Sequence, residues 1–315
     1  MKKIILAGGA GYLGRALAQH FLNDGFEVVT LSRKTFDALP GERIGLWDGK
    51  SLGPWTRELE NTVALINLAG RTVNCRYTPT NRKEMMESRV QSTRVLGEAV
   101  RACTEPPKVW MNSSTATIYR HAIDCEQTEA SGQIGKGFSV EIAKAWEQEF
   151  FRHRRDGVRQ IALRTAMVFG QGRGGVYEAF CSIAKQGLGG RAGDGTQYVS
   201  WIHLDDFVGM IDWIIAHTEL DGVVNVASPD PQPNAKFMRA LRESLGVRFG
   251  LNATEWMLEI GAFFKKTETE LLMKSRRVVP ERMLGAGYKM KHPNLKHAMK
   301  DLAERNSYRQ TQFPK

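Results

Sequence analysis

The sequence predicts an α/β fold: a Rossmann-type doubly wound parallel sheet with a small C-terminal substrate lobe. Two observations carry this. Short apolar runs alternate with amphipathic stretches through the first half, and a glycine-rich turn links the first run to the first stretch. The 315 residues suffice for one large α/β domain with an appendage. A composition of 42% hydrophobic and 25% charged residues excludes a disordered, collagen-like or coiled-coil chain.

Strands are expected over residues 4–7, 27–32, 43–47, 64–68, 109–113 and 160–164, and helices over 11–24, 81–103 and 138–155. The first helix carries Leu13, Leu17, Phe21 and Leu22 on one face and is closed by Gly25. Beyond Gly170 the pattern changes. Gly172, Gly174, Gly175, Gly187, Gly189 and Gly190 crowd one stretch and mark turns and loops. A strand at 198–202, a helix at 204–217, a strand at 223–226 and a helix at 234–245 follow. The 223–226 run reads as one more strand of the first sheet.

The net charge of +10 is unevenly spread: residues 265–315 hold 13 Lys and Arg against 5 Asp and Glu. Such a region reads first as a solvated helical face, then as a surface for an acidic partner or anionic lipid. Nucleic acid is not expected, because no aromatic-interleaved basic strand and no helix-turn-helix cue accompanies the charge. Cys75, Cys103, Cys125 and Cys181 form no C-x-x-C pair, so reduced thiols, a cytoplasmic location and no metal site are expected. No apolar run reaches the roughly 18–20 residues of a membrane span. Gly8 and Gly9 cut short the N-terminal run that mimics a leader.

The first strand runs into Gly8-Gly9-Ala10-Gly11-Tyr12-Leu13-Gly14, a G-x-x-G-x-x-G that opens a helix. Glycine serves there where the turn needs positive φ, where backbone meets a pyrophosphate, and where helix packs on strand. The helix N-terminus adds N–H groups and partial positive charge. This context points to a dinucleotide. A protein selecting NAD places Asp or Glu at the end of the second strand, whereas this chain has Ser32-Arg33-Lys34. Two cations and a hydroxyl suit a 2′-phosphate, so NADP(H) is the expected cofactor. Residues 1–170 then form the NADP(H)-binding unit, with 198–228 returning to its sheet, and 171–197 with 229–315 form the lobe.

Further segments are Asn67-Leu68-Ala69-Gly70, the run from Ser113 and Ser114 to Tyr119, and Leu163-Arg164-Thr165-Ala166-Met167-Val168-Phe169-Gly170. Together they resemble an extended short-chain dehydrogenase/reductase of the nucleotide-sugar epimerase/dehydratase type. Glu87-Ser88-Arg89 with Ser92-Thr93-Arg94, Ser200-Trp201-Ile202-His203-Leu204-Asp205-Asp206, and Val279-Pro280-Glu281-Arg282-Met283-Leu284 with Gly287-Tyr288 narrow the match. They are similar to the YfcH-like "epimerase family" branch, whose members carry a C-terminal domain of unknown function and are sometimes labelled cell-division inhibitors. The resemblance covers essentially the whole chain. It implies that Leu68, Ala69 and Gly70 line the cofactor, with Glu84 and Arg89 approaching from the side, and that Ser113, Ser114, Arg164 and Val168 complete the site. Glu84 with Arg89 also fits a helical ion pair, and Asp48 fits either the adenine edge or an Asp-Gly turn.

The resemblance also implies a catalytic Ser/Thr, Tyr and Lys, the Tyr exchanging a proton and the Lys lowering its pKa. Thr115 stands at the Ser/Thr position, but no tyrosine has Lys four residues later. Aligned on Trp146-Glu147, Ser139 replaces the Tyr and Ala143 the Lys. Lys144 lies roughly 100° further around the helix and is no substitute. Tyr119 and His203 are the other acid–base candidates, although both also fit structural roles in the relatives. Gln197, Ser200 and Trp201 would flank a substrate cleft, and residues 189–195 fit either a lid or plain turns. Two functions survive: an NADP(H)-dependent oxidoreductase or epimerase on an unidentified small molecule, and a non-catalytic NADP(H)-binding regulator, for which the family label suggests cell division.

Overall fold

In the first apolar run Ile4 and Leu6 are buried in one core cluster and Ile5 and Ala7 in another, as period-two side chains of a strand covered on both faces must be. That strand is the centre of a computed structural model that describes residues 2–172, 174–254 and 274–312. The strands are β1 (Lys3–Ala7), β2 (Glu27–Ser32), β3 (Glu42–Leu46), β4 (Ala64–Asn67), β5 (Val109–Thr115), β6 (Arg159–Thr165), β7 (Met167–Phe169), β8 (Tyr198–Val199), β9 (Trp201–His203), β10 (Gly222–Val226) and β11 (Gln232–Pro233). Seven of them form one sheet in the order β10-β6-β5-β4-β1-β2-β3. Every pair in it is parallel, the doubly wound arrangement expected from the sequence.

The helices are α1 (Tyr12–Asn23), α2 (Pro79–Ala102), α3 (Phe138–Arg152), α4 (Val176–Ile183), α5 (Leu204–Ala216), α6 (Asn234–Ser244), α7 (Glu281–Gly285) and α8 (Leu295–Gln312). Leu17 and Phe21 of α1 with Phe207 and Ile211 of α5 cover one face of the sheet. Val95, Leu96 and Val100 of α2 with Phe150 of α3 cover the other. A third core joins Phe169, Tyr177, Trp201, Phe237, Leu241 and Met299. It ties the short strands to α4, α6 and α8.

Four departures from the sequence reading have physical causes. The run at 198–202 is not one strand: β8 pairs antiparallel with β11 and β9 pairs parallel with β7, so the chain changes partners at Ser200. Of residues 198–228, the part that joins the main sheet is β10, beside β6. Helix α2 begins at Pro79, because the Thr78 hydroxyl accepts the Asn81 N–H at 3.2 Å and proline suits the first turn. Helix α4 interrupts the expected glycine loops, since Gly172, Gly174 and Gly175 precede an apolar segment long enough for two turns.

The sheet's second half is pinned by a buried ion pair. Arg164 on β6 donates Nε to Glu147 Oε1 at 2.9 Å and Nη2 to Oε2 at 2.8 Å. Burial opposes the guanidinium charge, but Glu147 and then Tyr119 more than offset it and raise the pKa. Arg164 Nη1 also donates to the Tyr119 hydroxyl at 3.0 Å, which donates onward to Asn225 Oδ1 on β10 at 2.8 Å. Ser114 Oγ on β5 donates to Glu147 Oε1 at 2.6 Å. Replacing Glu147→Ala strands the Arg164 charge, and we expect a loss of about 3–5 kcal/mol in urea unfolding. An unchanged midpoint would show the pair to be dispensable.

Candidate functional site

A cavity of about 810 Å³ opens at the C-terminal ends of β1, β2 and β4, lined by Gly8, Gly11, Ser32, Arg33, Leu68 and Gly70 among others. Gly8 and Gly14 are required for different reasons. Gly8 has φ +74°, and a β-carbon there would lie 2.7 Å from Ala69 Cα. One on Gly14 would meet Gly9 O at 2.2 Å, so α1 packs backbone to backbone on the turn. At Gly11 nothing lies within 4 Å of that position. It caps α1 without a side-chain hydrogen bond, leaving the first N–H groups of the helix, those of Tyr12, Leu13 and Gly14, for a ligand.

The opposite wall is set by a polar cluster that the sequence reading missed. Asn67 Nδ2 donates to Asn112 Oδ1 at 2.6 Å and to Thr93 Oγ1 at 3.1 Å, and Trp146 Nε1 reaches Thr93 Oγ1 at 2.9 Å. Asn67 Oδ1 accepts the Ala69 N–H at 3.0 Å, which shapes the Leu68-Ala69-Gly70 turn against the cavity. Paired Asn residues at neighbouring strand ends were the available signal. Buried Gln91 Oε1, on this wall, has no hydrogen-bond partner among the described residues. Asp48 Oδ1 accepts the N–H groups of Lys50 and Ser51, both at 2.8 Å, so it builds its own turn while lining the cavity. Ser32 Oγ accepts the Lys34 N–H at 3.4 Å; Arg33 lines the cavity and Lys34 is exposed beside it.

A second, smaller cavity of about 400 Å³ holds Leu13, Arg89, Ser113, Ser114, Thr115 and Ser139 on one side and Tyr198, Ser200, Lys274 and Arg276 on the other. Thr115 Oγ1 accepts the Thr117 N–H at 3.1 Å and lies 2.9 Å from the Thr117 hydroxyl. Ser139 is buried on the cavity wall, Ala143 is fully buried in the core, and Lys144 is exposed. Glu84 and Arg89 are not a pair: Arg71 takes Glu84, while Arg89 is held by backbone carbonyls.

Several candidates lie elsewhere. Tyr119, fully buried with its hydroxyl engaged, faces the core, and Arg164 is spent on Glu147. Val168 is buried on β7 against β9. The Tyr12 ring packs on the Gly170–Gly175 turns, where a β-carbon on Gly170 would touch its hydroxyl at 2.3 Å; its contribution to the cavity is its backbone. Trp201 is core, its Nε1 bonded to Asp230 O at 2.7 Å. Gln197 is buried, its Nε2 on Ala192 O. Ser200 Oγ fastens to Arg276 O and accepts the Val278 N–H. Residues 189–195 are not a free lid, because Gly190 N bonds Leu251 O at 3.0 Å and Gly193 N bonds Ala253 O at 2.8 Å. Of the basic C-terminal segment, residues 265–273 and 313–315 lie outside the described residues. Arg277 there pairs with Glu126 at 3.2 Å, and Arg305 pairs with Asp205 and Asp301.

His203 caps α5, its Nδ1 accepting the Asp205 N–H at 3.1 Å, and lines neither cavity. Its ring lies against His292, with Asp301 Oδ2 3.2 Å from Nε2. His203, His292 and Asp301 have the spacing of a metal's ligands, although Arg305 already engages Asp301. Burial pushes the His203 pKa down to about 4, with Asp205 and Asp301 opposing and His292 and Arg305 assisting. The folded state therefore refuses a proton that the unfolded chain accepts below about pH 6.5. Stability should fall as pH drops from about 6.5 through 4. In His203→Asn, which keeps a capping acceptor, thermal melts should show a smaller fall over that range, and an identical fall would assign the acid loss to other groups.

The fold and the cavity at the strand ends define a doubly wound α/β protein with its ligand site outside the carboxyl edge of the sheet. The chain belongs to the NAD dependent epimerase/dehydratase family, whose model matches residues 4–227. Residues 253–302 match a domain of unknown function (DUF1731). The human epimerase family protein SDR39U1 is 29% identical over 303 residues, covering 95% of this chain and 99% of that one. An epimerase family protein of Staphylococcus aureus (strain MW2) is 26% identical with 96% and 99% coverage. The crystal structure of human SDR39U1 (isoform 2) with NADPH matches with a TM-score of 0.85 at 29% identity, covering 96% of this chain and 99% of that one. A nucleoside-diphosphate sugar epimerase from Corynebacterium glutamicum matches with a TM-score of 0.77 at 25% identity, covering 99% of this chain and 60% of that one. Among the described residues no helix is long and apolar enough to cross a membrane.

Proposed function

We propose that the chain binds NADP(H) in the larger cavity and acts as an oxidoreductase or epimerase on a small molecule held in the smaller one. The observation that carries this reading is the conjunction of the open Gly11 cradle at the head of α1 with Ser32 and Arg33 on the same cavity wall. The human relative solved with NADPH supports it. The N–H groups at the head of α1 would hold the diphosphate, and Arg33 with Ser32 and Lys34 the 2′-phosphate. No carboxylate stands at the end of β2 to repel that phosphate. Leu68, Ala69 and Gly70 would close one side, and Leu13, Ser113 and Ser114 would border the nicotinamide half.

Bound there, the cofactor supplies or accepts a hydride. The chain's own contribution is orientation and exclusion of water. Thr115, which lines the smaller cavity, would hydrogen-bond a substrate oxygen. Neither Tyr119 nor His203 joins it, because both are buried in structural networks. Ser139 and Ala143 at the Tyr and Lys positions favour the second reading, a non-catalytic regulator that reports the nucleotide.

Fluorescence titration of the nucleotide-free protein tests the site. Arg33→Asp should weaken NADPH at least tenfold more than NADH; equal weakening would remove Arg33 from cofactor selection. In any NADPH-dependent turnover, Thr115→Val should lower kcat about tenfold with NADPH affinity unchanged. Unchanged kcat would exclude Thr115 from the chemistry.

A further inference from the structure

Arg89 lies where the two cavities meet. It lines the smaller one, and its Cζ is 3.2 Å from where a β-carbon on Gly70, a wall of the larger one, would stand. Its guanidinium is fixed without being neutralised. Nη1 donates to Met85 O and Nη2 to Arg71 O, both at 3.0 Å, and the plane rests 5.1 Å from the centre of the Trp146 ring. Glu84, five residues earlier on α2, is occupied by Arg71. Among the described residues, the other groups whose charge bears on Arg89 are the Tyr77 phenol and the Cys75 thiol. Burial pushes the guanidinium pKa down to about 10, a desolvation cost that no ion pair among the described residues offsets.

The surroundings match this charge. The described wall of the smaller cavity contains Arg89, Lys274 and Arg276 and no Asp or Glu, whereas the larger cavity mixes Arg33 and Lys50 with Asp48 and Glu87. Beside the Ser and Thr hydroxyls the wall carries apolar side chains, among them Ile142, Trp146, Val176 and Phe180. A volume of about 400 Å³ is that of a small organic ligand.

We propose that the smaller cavity binds an organic anion with an apolar body, its carboxylate or phosphate group held by the Arg89 guanidinium. This rests on the reading of the larger cavity as the nucleotide's and the smaller as the substrate's. A pre-oriented guanidinium accepts such a group without paying for its own ordering. Arg89 thereby passes from the cofactor wall, where the sequence placed it, to the substrate.

Isothermal titration calorimetry of the full chain with octanoate, octyl phosphate and 1-octanol, with and without saturating NADPH, tests this. At least one anion should bind ten times more tightly than the alcohol. Arg89→Gln should abolish that preference, Arg89→Lys should retain part of it, and both should keep NADPH affinity within twofold. Equal binding of alcohol and anions, or no binding of either anion, overturns the proposal. So does an Arg89→Gln variant that keeps the preference, or one that loses NADPH affinity instead, which would return Arg89 to the cofactor. If Arg89→Gln does not fold, the head-group comparison on the unaltered chain and on Arg89→Lys still decides. Failure of the unaltered chain to bind NADPH would remove the cofactor reading alone, since anion preference is also measured without nucleotide.

Discussion

The Glu147–Arg164 pair is the constraint on which the sheet's second half depends. A carboxylate on α3 and a guanidinium on β6 are taken out of water together, and each then dictates where its neighbours lie. Through Ser114 the pair fixes the end of β5, and through Tyr119 and Asn225 it fixes β10. Asn225 Nδ2 continues to Gln127 O and Val279 O, so the C-terminal region is anchored to the same network. A charge pair of this kind adds little net stability against an apolar replacement but is expensive to break. Its value is positional: it holds Ser113 and Thr115 at the rim of the smaller cavity.

The two cavities differ in construction because their walls differ. The larger is made of backbone, the turn at Gly8–Gly14 and the Leu68-Ala69-Gly70 turn that Asn67 holds in place. Backbone suits a ligand recognised through phosphates. The smaller is walled by side chains from the sheet, α3 and the C-terminal region, including Trp146, Tyr198 and Arg276. Side-chain walls change more readily with sequence than backbone ones.

The fold was legible because its signals are local and periodic. Apolar runs gave the six strands that form the frame with β10, and the glycine turn gave the head of α1. What escaped depends on contacts distant in sequence. Nothing within 198–202 announces that β8 and β9 answer to different partners, because those partners lie 33 to 35 residues away on either side. The Asn67–Thr93–Asn112–Trp146 cluster joins four elements and has no spacing signature. Tyr119, Arg164 and His203 misled for a common reason. A polar residue near a strand end serves equally as a reactive group or as a member of a buried network, and only burial and hydrogen-bond geometry tell them apart.

The core position of Ala143 bears on the history of such sites. Its methyl group packs, without exposure, in a cluster with Ala116, Ile118, Tyr119 and Val278. A lysine there would drive four methylenes and an ammonium into space already filled, and the surrounding side chains would have to shrink in concert before it could be accommodated. The Tyr–Lys chemistry is therefore separated from this protein by a packing barrier as well as by two substitutions. Position 143 is therefore held by packing, whereas the cavity wall beside it is free to vary.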